Sequence, residues 1–140
     1  MLENKRIIIA GGGHAGIEAA LAAAKQKVSC VLVSLDLSAI GRLSCNPAIG
    51  GLGKSHLVKE IDALGGITAE ATDHSAIQYK MLNKTKGRAV WSLRVQVDKK
   101  QYPKYVKSFI NKNKLIEVVE DEVVGFKEKN GKIVKAVLKK

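Results

Sequence analysis

Three glycines, Gly11, Gly13 and Gly16, follow a short aliphatic run with the spacing G-x-G-x-x-G. Between a strand and a helix, this spacing binds the diphosphate of a dinucleotide. The first glycine permits the tight turn, the second lets the backbone approach the phosphates, and the third lets helix and strand pack closely. N–H groups and the dipole at the helix start attract the phosphate charge. We predict cofactor contacts from the whole turn: Gly11, Gly12, Gly13, His14, Ala15 and Gly16.

The end of the second predicted strand is where a dinucleotide site holds the ribose. NAD sites usually have Asp or Glu there, whereas this chain has Ser34, with Asp36 two residues later. A serine hydroxyl can still hydrogen-bond a ribose, although more weakly than a carboxylate. Ser34 is therefore a predicted cofactor contact, and its identity weakens an NAD interpretation.

A second glycine-rich segment, residues 48–55, satisfies a relaxed P-loop pattern that ends in Lys54-Ser55. A true P-loop follows a buried strand, and its lysine reaches the nucleotide phosphates. Here the preceding residues include Pro47, and no convincing partner strand ends in Asp. ATP or GTP binding is therefore disfavoured, and a loop beside a flavin or a substrate remains open.

The pattern of apolar residues predicts the elements that position these motifs. A strand, a helix and a strand within residues 5–34 form a βαβ unit with parallel strands. An insertion follows over about 35–97. It begins with a long glycine-punctuated loop over 35–55 and continues with a helix at 56–64, which Gly65-Gly66 ends. A strand at 77–82, a basic loop at 83–90 and a weak strand at 90–97 complete it. A helix over about 98–113 with Asp98 as its cap precedes strands and a hairpin over 115–138, turned by Asn130-Gly131. The predicted class is α/β, a partial Rossmann-like domain with a parallel sheet, an inserted loop and helix region and a terminal β-hairpin.

Composition limits the classes of protein that this chain can represent. Its 140 residues with 46% hydrophobic content fit one domain. No apolar run approaches a membrane span or the core of a signal peptide, and two cysteines cannot build a disulfide framework. We expect a cytoplasmic protein without membrane association. His56 and His74 have no convergent Cys or carboxylate set, so no metal site is predicted.

Positive charge is concentrated in one region. The net charge is +11, and residues 80–114 hold eleven Lys or Arg and one acid, Asp98. Such a patch attracts phosphate backbones without reading sequence. A solvated lysine-rich surface is the alternative.

Longer motifs carry a more specific resemblance. Residues 11–20, 44–54 and 56–66, with the Cys45-Asn46-Pro47 segment above all, resemble the glucose-inhibited division protein A family. Its members are FAD-dependent subunits of the tRNA uridine 5-carboxymethylaminomethyl modification enzyme. The similarity covers nearly the whole chain, and Arg88 departs from the proline that the family usually has there.

The resemblance implies a cofactor, partners and further site residues. FAD would bind the glycine turn, with the backbone of Val123 at the adenine end. NADH would reduce the flavin, and a folate-derived carbon would be joined with an amine to C5 of the wobble uridine in tRNA. The family works as a homodimer with a GTPase partner. Cys45 matches a cysteine near the flavin and is the catalytic candidate, although a packing role stays open. Plausible tRNA or flavin-phosphate contacts are Lys54, Lys59, Arg88 and Arg94.

Family members run to several hundred residues, so we expect this chain to be a fragment, a split gene product or a truncated reading frame that is inactive alone. Two other interpretations stay open. One is a fragment of an NAD(P)-dependent Rossmann dehydrogenase. The other is a non-catalytic, basic tRNA-binding remnant.

Overall fold

The computed structural model describes residues 6–140, and these residues form two compact units. One unit comprises residues 6–40 together with 110–140, and the other comprises Gly41–Phe109. Lys5, with which the predicted βαβ core begins, lies outside the described residues.

The first unit is built on a parallel sheet. Its elements are β1 (Ile7–Ala10), α1 (His14–Lys25), β2 (Cys30–Ser34) and β6 (Ile116–Glu120), with a 3-10 turn at Leu37–Ala39. The strand order is β1-β2-β6, both pairings are parallel, and Cys30 lies opposite Ile7 on one side and Ile116 on the other. The βαβ unit and the pairing of the strand after the long helix are therefore confirmed.

Small residues let α1 pack closely on this sheet. The buried residues of α1 are Ile17, Ala20, Ala23 and Ala24. In β2, Cys30 and Leu32 are completely buried, so Cys30 packs in the core as predicted. β1 is more open, because it pairs only with β2 among the described strands and Ile7 and Ile8 remain nearly half exposed.

A hairpin completes the first unit. It consists of β7 (Val123–Lys129) and β8 (Lys132–Leu138). Asn130 and Gly131 both have positive φ, 54° and 73°, which is the conformation that a tight two-residue hairpin turn requires. The hairpin prediction from Asn-Gly is confirmed.

The second unit contains a separate antiparallel sheet with helices. Its elements are β3 (Ala48–Gly50), α2 (Ser55–Ala63), α3 (Thr68–Ser75), β4 (Ala76–Leu82), β5 (Ser92–Val97) and the start of α4 (Gln101–Lys112), with 3-10 turns at Lys84–Lys86 and Arg88–Val90. The strand order is β3-β5-β4. Strand β5 is central and buries Val95 and Val97, and both α2 and α3 contact it.

Two elements of this unit differ from the sequence prediction. The predicted loop over 35–55 contains β3, which forms because its backbone pairs with β5 despite the flanking glycines. Helix α3 was not predicted, because its sequence is polar and rich in Thr and Ser. The structure resolves that conflict within the helix: Thr72 Oγ1 donates to Thr68 O, and Ser75 Oγ donates to Ala71 O, at 2.6 Å each. These bonds let hydroxyl-bearing residues be buried.

Helix α4 begins where its cap predicts. Asp98 Oδ1 accepts hydrogen bonds from the backbone N–H groups of Lys100 and Gln101, at 2.8 Å each. Pro103 lies within the first turn, where its missing N–H costs little. On the apolar face of α4, Tyr102 and Val106 are fully buried. Residues 99 and 100 form a turn between Asp98 and the helix, and Asp98 O accepts from the N–H of Tyr102 at 3.1 Å.

The length and apolarity of the helices decide whether any of them could span a membrane. Among residues 6–140, none of the helices combines the length and apolarity that spanning a bilayer demands.

Candidate functional site

The glycine turn lies at the carboxyl end of β1. Gly11 has φ +110°, a conformation that non-glycine residues rarely adopt, and its N–H donates to Val33 O at 2.8 Å. The bond extends the pairing of β1 with β2 by one residue, and the positive φ of Gly11 lets the chain turn there toward α1. The first glycine of the motif therefore has the role that its spacing predicts.

Gly16 lies where α1 passes closest to the turn. A Cβ built at Gly16 would lie 1.9 Å from the carbonyl oxygen of Gly11. Any side chain would therefore separate the helix from the turn. Gly12 is also enclosed, since a Cβ there would lie 2.9 Å from Ser34 Oγ.

Gly13 differs from these two glycines because a Cβ there would meet nothing within 4 Å. It is the N-cap of α1 in extended backbone conformation, and a glycine has no side-chain oxygen to accept from the first N–H groups of the helix. These N–H groups and the positive end of the helix dipole can therefore serve a bound anion.

A cleft of about 410 Å³ lies beside this turn. The residues predicted for the cofactor that line it are Gly11, Gly12, Gly13, Ser34 and Val123. The structure thus brings together residues from three separate parts of the sequence. His14, Ala15 and Gly16 do not line it and form the first turn of α1.

Ser34 is placed under the turn more than in the open cleft. Its side chain is nearly buried, and its hydroxyl donates to Asp36 O at 3.1 Å. The oxygen keeps lone pairs that can accept a hydrogen bond. Asp36 also lines the cleft, where its carboxylate accepts from the N–H and the hydroxyl of Ser38.

The far wall of the cleft includes two carboxylates that the sequence reasoning missed, Asp121 and Glu122. The N–H of Asp121 donates to Ser34 O, and Asp121 Oδ1 accepts from the N–H groups of Glu122 and Lys139. Asp121 therefore fixes the start and the end of the hairpin beside the end of β2, and it positions Val123. Their position could have been predicted from the strand that precedes them, because the carboxyl ends of paired parallel strands meet at one edge of the sheet.

His14 occupies the first position of α1. Burial lowers the pKa of its imidazole below the ordinary value, and the charge of Glu18 opposes that shift. The lowered pKa favours the neutral imidazole.

In the second unit, Cys45, Lys54 and Arg94 line one hollow of about 380 Å³, together with Gly50 and Gly51. The Cys45 thiol is free and exposed. Two of the four predicted phosphate contacts are thus brought to the thiol. The segment that resembles a P-loop contains β3, an antiparallel strand, whereas a P-loop follows a parallel one.

Lys59 and Arg88 are placed elsewhere in the same unit. Lys59 lines a separate hollow of about 230 Å³ together with residues of α3 and the sheet. Arg88 lies over the ring of Trp91, with its guanidinium carbon 5.8 Å from the ring centre. No group of three or more metal-ligating side chains occurs among residues 6–140.

Nearly the whole chain matches one protein family. The family model described as glucose inhibited division protein A matches residues 6–140. The chain belongs to this family. The fold and the resemblance expected from the sequence are thereby confirmed.

Individual relatives support membership of the glucose inhibited division protein A family. A protein of Chlorobium phaeobacteroides, named tRNA uridine 5-carboxymethylaminomethyl modification enzyme MnmG, is 50% identical over 132 residues, which are 94% of this chain and 21% of the relative. The crystal structure of Aquifex aeolicus GidA in form II matches with a TM-score of 0.91 at 46% identity, over 96% of this chain and 22% of that one. The chain therefore spans about a fifth of these relatives.

A more distant match shows likeness of fold alone. The structure of PqsL, described as a probable FAD-dependent monooxygenase from Pseudomonas aeruginosa, has a TM-score of 0.61 at 15% identity and covers 96% of this chain and 39% of its own.

Proposed function

We propose that the chain is the FAD-binding, N-terminal part of a tRNA wobble-uridine modification enzyme. Within it, residues 5–34 are the dinucleotide-binding core, about 35–97 an insertion, about 98–113 a helix, and 115–138 the closing strands and hairpin. The observation that carries the proposal is the cleft beside Gly11–Gly13, where the helix start, the end of β2 and the hairpin converge. Family membership supports the same conclusion.

The residues present fit a flavin dinucleotide. The open space at Gly13 admits the diphosphate close to the backbone, and the helix start supplies N–H donors. Ser34 and Asp36 offer oxygens to a ribose, and the backbone of Val123 borders the region for the adenine end. FAD, when bound, would exchange reducing equivalents with NADH and the substrate. The chain's own residues bind and orient it.

The activity proposed for the whole protein follows the name of its relatives. A folate-derived carbon and an amine would be joined to C5 of the wobble uridine of tRNA, with a GTPase subunit as partner, in a cytoplasmic homodimer. Cys45 is the proposed nucleophile, and its exposed thiol beside Lys54 and Arg94 supports that role. An exposed thiol is accessible to an incoming base, whereas the buried Cys30 is not.

Equilibrium dialysis of the 140-residue chain against FAD and against NAD tests the cofactor. We expect FAD to bind more tightly than NAD, and Gly13→Ala to weaken FAD binding about tenfold, which corresponds to roughly 1.4 kcal/mol. Tighter binding of NAD would favour the dehydrogenase interpretation. If neither dinucleotide binds, the cleft is not a cofactor site in this chain.

The role of Cys45 is tested in a full-length family protein that contains this segment. Cys45→Ser should abolish formation of the modified uridine in a tRNA transcript while FAD remains bound. Retained modification would contradict the proposed nucleophile, and loss of flavin would indicate a structural role instead.

A further inference from the structure

The outer face of the second unit's sheet carries a row of cations. Arg94 on the central strand β5 lies opposite Lys80 on β4 and opposite Gly50 on β3. The next row has Gln96 opposite Gln78. Side chains alternate between the two faces of a strand, so these residues share one face of the sheet. Val95 lies on the opposite face, and the helices α2 and α3 cover that opposite face.

Two like charges directly opposite each other destabilise an antiparallel pair of strands. Lys80 and Arg94 are both exposed, and within residues 6–140 neither side chain has an ion-pair or hydrogen-bond partner. The sheet therefore keeps an unfavourable contact that an anion between the two side chains would relieve. A guanidinium adds planar, bidentate recognition of a phosphate group.

The surface around this pair is shaped to receive a ligand. Gln78, Lys80, Leu82, Arg94 and Gln96 line a hollow of about 230 Å³. Arg94 and Leu82 also line the neighbouring hollow that contains Lys54 and Cys45. On the β3 side the small residues Ala48 and Gly50 stand beside Gln96 and Arg94, so Arg94 remains accessible.

We propose that this face, defined by Lys54, Gln78, Lys80, Arg94 and Gln96, binds the phosphodiester backbone of RNA. Three cations spread over two neighbouring hollows that share Arg94 suit a chain of phosphates better than one small anion. The two glutamine amides can hydrogen-bond ribose 2′-hydroxyl groups, which distinguish RNA from DNA. The bound RNA would pass over Arg94 toward the Cys45 thiol. This inference rests on the proposed function, in which RNA is the substrate, and it replaces Lys59 and Arg88 by Lys80 among the phosphate contacts.

Fluorescence anisotropy with a labelled transcript of a tRNA that has uridine at the wobble position tests this surface in the 140-residue chain. The double variant Lys80→Gln/Arg94→Gln should weaken binding about tenfold or more, because it removes two charged donors to phosphate oxygens. The slope of log K against log salt should fall by about 1.4, at roughly 0.7 per phosphate contact on single strands.

A matched control removes the same kind of cross-strand pair elsewhere. Lys127 lies opposite Lys135 in the hairpin, and Lys127→Gln/Lys135→Gln should leave binding within about twofold. The sheet-face variant should unfold at an equal or higher temperature, because it loses a repulsive contact, and this separates a binding surface from a structural one. If the double variant fails to fold, Lys80→Gln alone should reduce affinity and salt dependence in the same direction.

Several results would overturn the proposal: no binding of the transcript by the unaltered chain, equal losses in both double variants, or an unchanged salt slope. A parallel FAD titration separates the two hypotheses. Loss of FAD binding in the sheet-face variant with RNA binding intact would assign these cations to the cofactor. Failure of FAD to bind the unaltered chain contradicts the proposed cofactor site and leaves the RNA measurement decisive.

Discussion

Replacing Gly16 by alanine tests whether close packing of α1 on the glycine turn holds the first unit together. The added Cβ would lie 1.9 Å from Gly11 O and 3.4 Å from Ile9 Cγ2. Ordinary van der Waals contacts begin at 3.4 Å, so the contact with Gly11 O is a severe clash. Gly11 O is a backbone atom, and the position of the new Cβ is fixed by the backbone of α1 that carries it. The clash can therefore be relieved only by moving the helix or the turn.

The expected cost combines two opposing effects. Overpacking of a well-packed region typically costs about 1–3 kcal/mol, and this contact is severe enough for the upper end. Alanine in place of glycine within a helix returns roughly 1 kcal/mol. We therefore expect Gly16→Ala to reduce the free energy of unfolding by about 2 kcal/mol.

Urea unfolding followed by far-ultraviolet circular dichroism measures this loss. With a slope of about 1–3 kcal/mol per molar urea, the midpoint should fall by about 1 M. Gly13→Ala is the matched control, because its Cβ meets nothing within 4 Å and its φ of −76° and ψ of 179° suit alanine. Its unfolding free energy should change by less than about 1 kcal/mol. An unchanged midpoint for Gly16→Ala, or equal losses in both variants, would refute the packing argument.

Three further predictions concern titration and reactivity. Native iodoacetamide treatment should alkylate exposed Cys45 and leave buried Cys30 unmodified until denaturant is added, since burial also raises the pKa of Cys30; peptide mass spectrometry counts both. Burial lowers the pKa of His14, so the neutral imidazole contributes stability above the ordinary pKa of 6.5, and this contribution is lost as the pH falls below that value. The unfolding midpoint of His14→Gln should therefore decline less upon acidification than that of the unaltered chain. Hydrogen bonds from the N–H groups of Gln101 and Lys100 lower the pKa of Asp98 below 3.8, so its capping contribution persists above that value and disappears at lower pH; Asp98→Ala should lower helix content at neutral pH and abolish that acid-dependent part, as circular dichroism would record.

Local sequence was sufficient where one interaction dominates. The aliphatic runs around Gly11–Gly16 predict the parallel βαβ unit, and Asn130-Gly131 predicts the hairpin, because these turns need conformations that few other residues adopt. Asp98 likewise predicts the start of α4, because capping is a contact with residues two and three positions away.

Long-range pairing set what the sequence could not predict. Strand β3 is three residues long and is held by its pairing with β5. One face of the polar helix α3 is buried, because its Thr and Ser hydroxyls hydrogen-bond to backbone carbonyls of the helix itself. The opposition of Lys80 and Arg94 depends on the register of β4 and β5 across a loop with two 3-10 turns, and loops of that length do not fix register. The same reasoning explains Asp121 and Glu122, whose position in the cleft depends on β6 pairing with β2.

The distant partnership of β2 and β6 has a consequence for the order in which the chain folds. Cys30 and Ile116 are neighbours in the sheet, yet all of Gly41–Phe109 is synthesised between them. While the polypeptide emerges from the ribosome, the third strand of the parallel sheet does not yet exist. Prior folding of the intervening segment shortens the effective loop and lowers the entropy that its closure costs. Mutations that slow the folding of the intervening segment would therefore delay assembly of the cleft beside Gly11–Gly13, although that segment supplies none of the residues described as lining it.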